Sequence, residues 1–126
     1  MSQTILIVED AEALRRILAR QLRASGLNVT ECASAEEAVA ALSGGLRPNL
    51  VLLDVNLPGN TGWDFLRGPW LVAAGNPPVV ISSATAISPR RLEEFGVAGY
   101  LPKPCPTDTI LATVQRLLQP EVSEQI

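Results

Sequence analysis

Asp54 stands directly after four aliphatic residues, Leu50 to Leu53, and opens a turn-rich stretch that runs to Gly62. A carboxylate in that position can merely cap a strand, or it can do chemistry at the carboxyl edge of a sheet, where loops diverge and leave a crevice. Other residues point to the second use. Glu9 and Asp10 follow the aliphatic run Ile5 to Val8, and the hydroxyls of Ser82, Ser83 and Thr85 follow Val79 to Ile81. Lys103, the one lysine among ten Lys and Arg residues, sits between two prolines. Three carboxylates brought together repel one another unless they face water or surround a cation. A hard divalent ion with oxygen ligands, best matched by Mg²⁺, relieves that repulsion. An ionised carboxylate can then attack phosphorus, and the charge that spreads over the equatorial oxygens in the transition state is stabilised by the metal, an ammonium and a hydroxyl. The chain has no histidine, which removes His-based nucleophile activation, His acid-base work and His-containing metal sites.

The elements that must position these groups follow from periodicity and punctuation. Thr4 to Val8 reads as a short strand ending on the acidic pair. From Ala11 to Ser25, Leu14, Ile17, Leu18 and Leu22 recur at helical spacing, with arginines on the other face and Gly26 as a stop. Asn28 to Cys32 reads as a second strand, and Ser34-Ala-Glu-Glu37 predicts a capping box for a helix ending near Leu42. Leu50 to Leu53 is the third strand, buried on both faces. Trp63, Phe65, Leu66, Trp70 and Leu71 predict a third helix that Gly68-Pro69 kinks or splits. Val79 to Ser82 is a fourth buried strand. Ser88-Pro89 supplies an N-cap with proline at the first helical position, opening a short helix through Phe95 that stops at Gly96. Gly99 to Leu101 is a fifth strand leading into Pro102-Lys103-Pro104. Thr107 is expected to cap a last helix, with Ile110, Leu111, Val114, Leu117 and Leu118 on one side and Pro120 as its end. This alternation predicts a parallel sheet with right-handed crossovers and helices on both faces. Glu9, Asp10, Asp54, Ser83 and Lys103 then meet at one sheet edge, and that coincidence makes a cation-assisted phosphoryl site out of residues that would each be structural alone.

The length of 126 residues fits one domain spanning 1–126, with a core over about 4–119 and a flexible tail over 120–126. The formal charge of −3, with no run of Lys or Arg and no basic patch, argues against direct contact with nucleic acid. No apolar segment approaches a membrane span, and no signal peptide is recognisable at the amino terminus, so a cytoplasmic location is expected. Cys32 and Cys105 lack metal-site or redox spacing and are expected to be reduced.

In its acidic pair Glu9-Asp10, the Asp54-to-Gly62 turn with Leu-Pro-Gly inside it, Ser83-Ala84, and Tyr100 through Lys103-Pro104, the chain resembles the receiver domain of two-component response regulators over essentially residues 4 to 119. The resemblance implies a flavodoxin-like (βα)5 fold, a doubly wound parallel sheet of five strands in the order 2-1-3-4-5. It implies that Asp54 is the phosphoacceptor and that Glu9, Asp10 and Asp54, with the backbone carbonyl of Asn56, hold Mg²⁺ directly or through water. It further implies that Lys103 and Ser83 contact the phosphoryl group, that Ser83 and Tyr100 form the switch, and that the Lys103-Pro104 bond is cis. The implied phosphodonor is a sensor histidine kinase or a histidine phosphotransfer domain, and the output is a phosphorylation-dependent homodimer or a downstream protein. Such a chain catalyses its own phosphorylation and dephosphorylation without turning over an independent substrate.

The sequence departs from the family pattern in three places. Glu9 stands where Asp is commoner, and its longer arm points to metal contact through water. The span from Ser83 to Tyr100 is short, which predicts a stunted helix there, and Gly68-Pro69 disturbs the third helix. Three other readings compete. A flavin- or nucleotide-binding module would want glycines or hydroxyls after the first strand, where Glu9-Asp10 repels phosphate. An aspartate-nucleophile phosphohydrolase would carry its nucleophile after strand one and would usually need a cap domain. A non-phosphorylated receiver-like interaction module tends to lose the acids or the lysine, and here all are present.

Overall fold

The computed structural model describes residues 2–57, 59 and 61–119. The expected tail at 120–126, the stop at Pro120 and Pro58 of the Leu-Pro-Gly turn lie outside the described residues. The elements are β1 (Thr4–Val8), α1 (Glu12–Ala24), β2 (Asn28–Cys32), α2 (Ala35–Ser43), β3 (Leu50–Asp54), α3 (Gly62–Arg67), α4 (Trp70–Ala73), β4 (Val79–Ser83), α5 (Pro89–Phe95), β5 (Gly99–Pro102) and α6 (Thr107–Leu118). All strand pairs are parallel, and the sheet order is β2-β1-β3-β4-β5. This is the flavodoxin-like doubly wound sheet. No helix of the described residues is long and apolar enough to cross a membrane.

Because β3 and β4 are covered on both faces, every residue of each is buried, and their near-continuous aliphatic runs follow from that. Side chains alternate between two cores. Ile5, Ile7, Leu50, Leu52, Val80 and Leu101 pack under α1 and α6, with Leu18, Leu22, Ile110 and Val114. Leu6, Val8, Val51, Leu53 and Ile81 pack on the opposite side, with Ala38, Leu42, Phe65 and Leu71. A fully buried aliphatic side chain of this kind contributes about 1.5–3 kcal/mol relative to an exposed one. Cys32 and Cys105 are free thiols, and burial, aided by the charge of Glu37, pushes Cys32 up to about 11.

Helix ends follow the punctuation with instructive exceptions. Gly68 and Pro69 break the expected third helix into α3 and α4: Gly68 is extended and Pro69 precedes the new turn. Ser88 accepts from the Arg91 amide, Pro89 occupies the first turn, and Gly96 closes α5 in the left-handed region at φ 61°. Ser34 caps α2 through the Glu37 amide, but the Glu37 carboxylate reaches one residue further than a capping box requires and accepts from the Ala33 amide at 2.9 Å. Thr107 is not a side-chain cap. It is the first residue of α6, after Pro106. A full capping box does form at α3, between Thr61 and Asp64.

The α5 helix is as short as expected and has no fully buried residue. It is fastened to α3 by aromatic and arginine contacts: Trp63 meets Phe95 with ring centroids 4.9 Å apart, Arg91 lies 5.0 Å from the Trp63 ring and Arg67 5.2 Å from the Phe95 ring. The absence of a basic run in the sequence hides one local concentration of charge. Arg15, Arg16, Arg20 and Arg23 of α1 line a shared depression with Glu31.

Gly62 fixes the angle at which the chain leaves β3. A Cβ there would lie 2.6 Å from the Val55 Cα and 3.0 Å from the Asp54 carbonyl oxygen, both backbone atoms that cannot step aside singly. Gly62→Ala is therefore expected to destabilise the fold by about 1–3 kcal/mol, as overpacking does. Urea denaturation checks this, and an unchanged midpoint would mean that the Asp54-to-Gly62 turn yields without cost.

Candidate functional site

Pleat parity decides which side chains meet. Glu9 continues the alternation of Ile5 and Ile7, Asp54 that of Leu50 and Leu52, and Lys103 that of Leu101, so all three emerge over the core under α1 and α6. Ser83 and Tyr100 have the opposite parity and belong with Ile81, which is paired with Tyr100 across β4 and β5. Among the described residues, the buried polar side chains are Glu9, Asp54, Ser82 and Ser83, all at the carboxyl edge of the sheet.

One ammonium holds the two buried carboxylates. Lys103 Nζ donates to Glu9 Oε1 at 2.6 Å and to Asp54 Oδ2 at 3.2 Å. The other Glu9 oxygen, Oε2, accepts from the Ala11 amide at 3.2 Å, and Asp54 Oδ1 accepts from the Asn56 amide at 2.9 Å. Asp10 is exposed beside them, and one carboxylate oxygen each from Glu9, Asp10 and Asp54 lie within 4.8 Å of one another. Three acids and one ammonium leave this cluster with an excess of negative charge. Burial pushes the Glu9 carboxyl above its ordinary value, outweighing the lowering by Lys103 and the Ala11 amide, and the charge of Asp54 adds to the rise. For Lys103, burial alone depresses the ammonium, but the hydrogen bond to Glu9 and the charges of Asp54 and Glu9 outweigh it, so the net change is upward. The lysine's share of this stabilisation is complete below its ordinary value of 10.5 and is lost as pH rises through the higher folded value.

On the other parity, the Asn56 side-chain amide donates to Ser83 Oγ at 2.8 Å and to Thr85 Oγ1 at 3.3 Å. The two hydroxyls lie 2.9 Å apart, and the Tyr100 hydroxyl donates to the Thr85 carbonyl at 3.3 Å. Tyr100 is half-buried. The Lys103 amide donates to the Ser83 carbonyl at 2.8 Å, and the Lys103-Pro104 peptide is cis. Together with the Asn56 amide on Asp54, these bonds form a continuous path from Asp54 to Tyr100.

The family model for the response regulator receiver domain matches residues 5–115. The chain belongs to the response regulator receiver family. As a receiver domain it is similar to protein PetR of Rhodobacter capsulatus, 34% identical over 117 residues that cover 91% of this chain and 48% of PetR. It is also similar to the transcriptional regulatory protein CssR of Bacillus subtilis, 32% identical over 120 residues, 94% of this chain and 52% of CssR. The receiver chain thus spans about half the length of these curated relatives. Among solved structures, the chemotaxis protein CheY4 of Vibrio cholerae superposes with a TM-score of 0.82 at 28% identity, covering 94% of this chain and 100% of that one. The receiver domain of the hybrid histidine kinase CckA superposes with a TM-score of 0.72 at 34% identity, covering 92% and 99%.

The contacts of three residues around this candidate site were not foreseen from the sequence. Thr85 was visible only as one of several hydroxyls near the end of β4. Asn56 was expected for its backbone carbonyl, and its side chain also spans to Ser83 and Thr85. Arg15 was counted with the solvent face of α1, yet its Nη1 donates to the Glu9 carbonyl at 2.9 Å.

Proposed function

We propose that this receiver domain is a phosphorylation-dependent switch in which Asp54 takes a phosphoryl group from a sensor histidine kinase or histidine phosphotransfer domain. The observation that carries this reading is the meeting of Glu9, Asp10 and Asp54 within 4.8 Å, with Lys103 Nζ on the Asp54 carboxylate. The donor set is all oxygen and bears excess negative charge, which fits a hard divalent ion such as Mg²⁺, held by Asp10, Asp54 and the Asn56 carbonyl, with Glu9 acting through water. When bound, that ion neutralises the carboxylates and the oxygens of the incoming phosphoryl group. In the transfer, an Asp54 carboxylate oxygen forms the bond to phosphorus while the donor's P–N bond breaks and leaves its electron pair on the imidazole. Lys103 turns from Asp54 to a phosphoryl oxygen and Ser83 offers its hydroxyl to another. Hydrolysis of the aspartyl phosphate returns the resting state.

Both oxygens of Glu9 are already engaged by Lys103 and the Ala11 amide, whereas Asp10 is exposed. Asp10→Ala is therefore expected to weaken Mg²⁺ binding strongly and Glu9→Ala less, as read by calorimetric titration. Equal losses would place Glu9 directly on the metal.

The path through Asn56, Ser83, Thr85 and Tyr100 supports the switch. For Ser83 to reach a phosphoryl group on Asp54 it must leave Asn56 and Thr85, which frees the loop whose carbonyl holds the Tyr100 hydroxyl. The Tyr100 ring then turns inward and changes the surface formed by α5, β5 and α6, where a second copy or a downstream protein binds. Coupling of this kind is typically about 1–3 kcal/mol, a bias in population and not an all-or-none change. Beryllofluoride, which mimics the phosphoryl group, should shift amide resonances from Asp54 through Thr85 to Tyr100 and residues 107–118. Shifts confined to the loops around Asp54 would rule out this output.

A further inference from the structure

The arginines of α1 are not equivalent. The Arg15 side chain is 13% exposed, whereas those of Arg16, Arg23, Arg67 and Arg91 in the other ion pairs are between 41% and 70% exposed. Its Nε faces Glu31 of β2 at 3.4 Å while its Nη1 donates to the Glu9 carbonyl at 2.9 Å. Glu31 is itself held by Arg23, 3.1 Å away, which also donates to the Val29 carbonyl. At the other end of Glu9, the amide donates to the Cys32 carbonyl at 3.0 Å. Both backbone polar groups of this buried residue are therefore fixed, one by the end of β2 and the other by Arg15. The Glu9 carbonyl precedes α1 and lies outside its ladder, which opens with the Arg15 amide on the Ala11 carbonyl. The same carbonyl belongs to the Glu9-Asp10 peptide plane, so whatever holds it also holds the Asp10 Cα from which that carboxylate projects.

We propose that Arg15 is a positioning residue for the cation pocket, tying α1 and β2 to the Glu9 carbonyl and so setting where Asp10 stands relative to Asp54. The proposal rests on the metal-binding reading of the acidic cluster given above. Its physical signature is a sign. Deleting a positive charge close to a cation site should by Coulomb's law tighten cation binding. Deleting a group that orients the ligands should weaken it, by about tenfold or more where such orienting groups have been removed from metal sites.

The test is calorimetric titration of the full chain with MgCl₂, comparing wild type, Arg15→Gln, Arg15→Lys and Arg23→Gln. Arg23→Gln removes the neighbouring contact to Glu31 without touching Glu9, and it controls for a general loosening of α1 on β2. The expected result is a Mg²⁺ Kd raised about tenfold in Arg15→Gln, partly restored in Arg15→Lys and unchanged in Arg23→Gln. A second readout needs no metal. The Ala11 amide, which donates to Glu9 Oε2, should exchange its hydrogen faster in Arg15→Gln than in Arg23→Gln. Tighter or unchanged Mg²⁺ binding in Arg15→Gln, or equal losses in Arg15→Gln and Arg23→Gln, would overturn the proposal. If wild type itself takes up no Mg²⁺, the metal reading fails, and Ala11 exchange still decides whether Arg15 holds the turn.

Discussion

Lys103→Ala is expected to slow phosphorylation of this receiver domain by about 10²–10³-fold, the usual loss when one preorganised donor to a developing negative charge is removed. Among the described residues, the ammonium is the one positive charge that reaches both buried carboxylates, at 2.6 Å from Glu9 Oε1 and 3.2 Å from Asp54 Oδ2. It already lies on the proposed phosphoacceptor, where it would meet the oxygens of an incoming phosphoryl group. Its removal has a second consequence of opposite sign. A cation that competes for Glu9 and Asp54 disappears, so Mg²⁺ binding should hold or tighten while labelling falls. Initial rates with a small-molecule phosphodonor at saturating Mg²⁺, followed by intact-mass spectrometry, separate the two. Labelling within a few-fold of wild type would mean that Lys103 serves only to neutralise the acids.

What the sequence disclosed and what it concealed divide along physical lines. Each buried strand was legible because aliphatic runs bounded by turn residues leave little choice, and the candidates Glu9, Asp54 and Ser82-Ser83 stood out because they follow those runs directly. The meeting of Glu9, Asp54 and Lys103 follows from their parity with Ile7, Leu52 and Leu101. The split at Gly68-Pro69 was readable because proline cannot continue a hydrogen-bonded turn. Arg15 was not readable. On an amphipathic helix an arginine next to Leu14 looks like solvent face, and only the position of the β1–α1 turn reveals that it covers the Glu9 carbonyl. Thr61 and Asp64 escaped because aspartate is a shorter partner than the Glu or Gln of the usual capping pattern. The Asn56 side chain escaped because its partners, Ser83 and Thr85, lie on another strand's loop, and no local spacing encodes that contact.

The acidic turn, the lysine and the hydroxyl path all converge on one carboxylate, and Asp54→Asn isolates it. The amide keeps the shape of the side chain and an oxygen for the Asn56 amide, while Lys103 retains Glu9, so the fold and the surrounding contacts should persist. What the variant loses is the anionic oxygen proposed to attack phosphorus. The most direct measurement is intact-mass and fragment mass spectrometry of wild type and Asp54→Asn after incubation with Mg²⁺ and a small phosphodonor. Wild type should gain one phosphoryl group, located on Asp54, and the variant none. Undiminished labelling of Asp54→Asn, or a wild-type label located on Asp10 or elsewhere, would contradict the assignment of Asp54 as the phosphoacceptor.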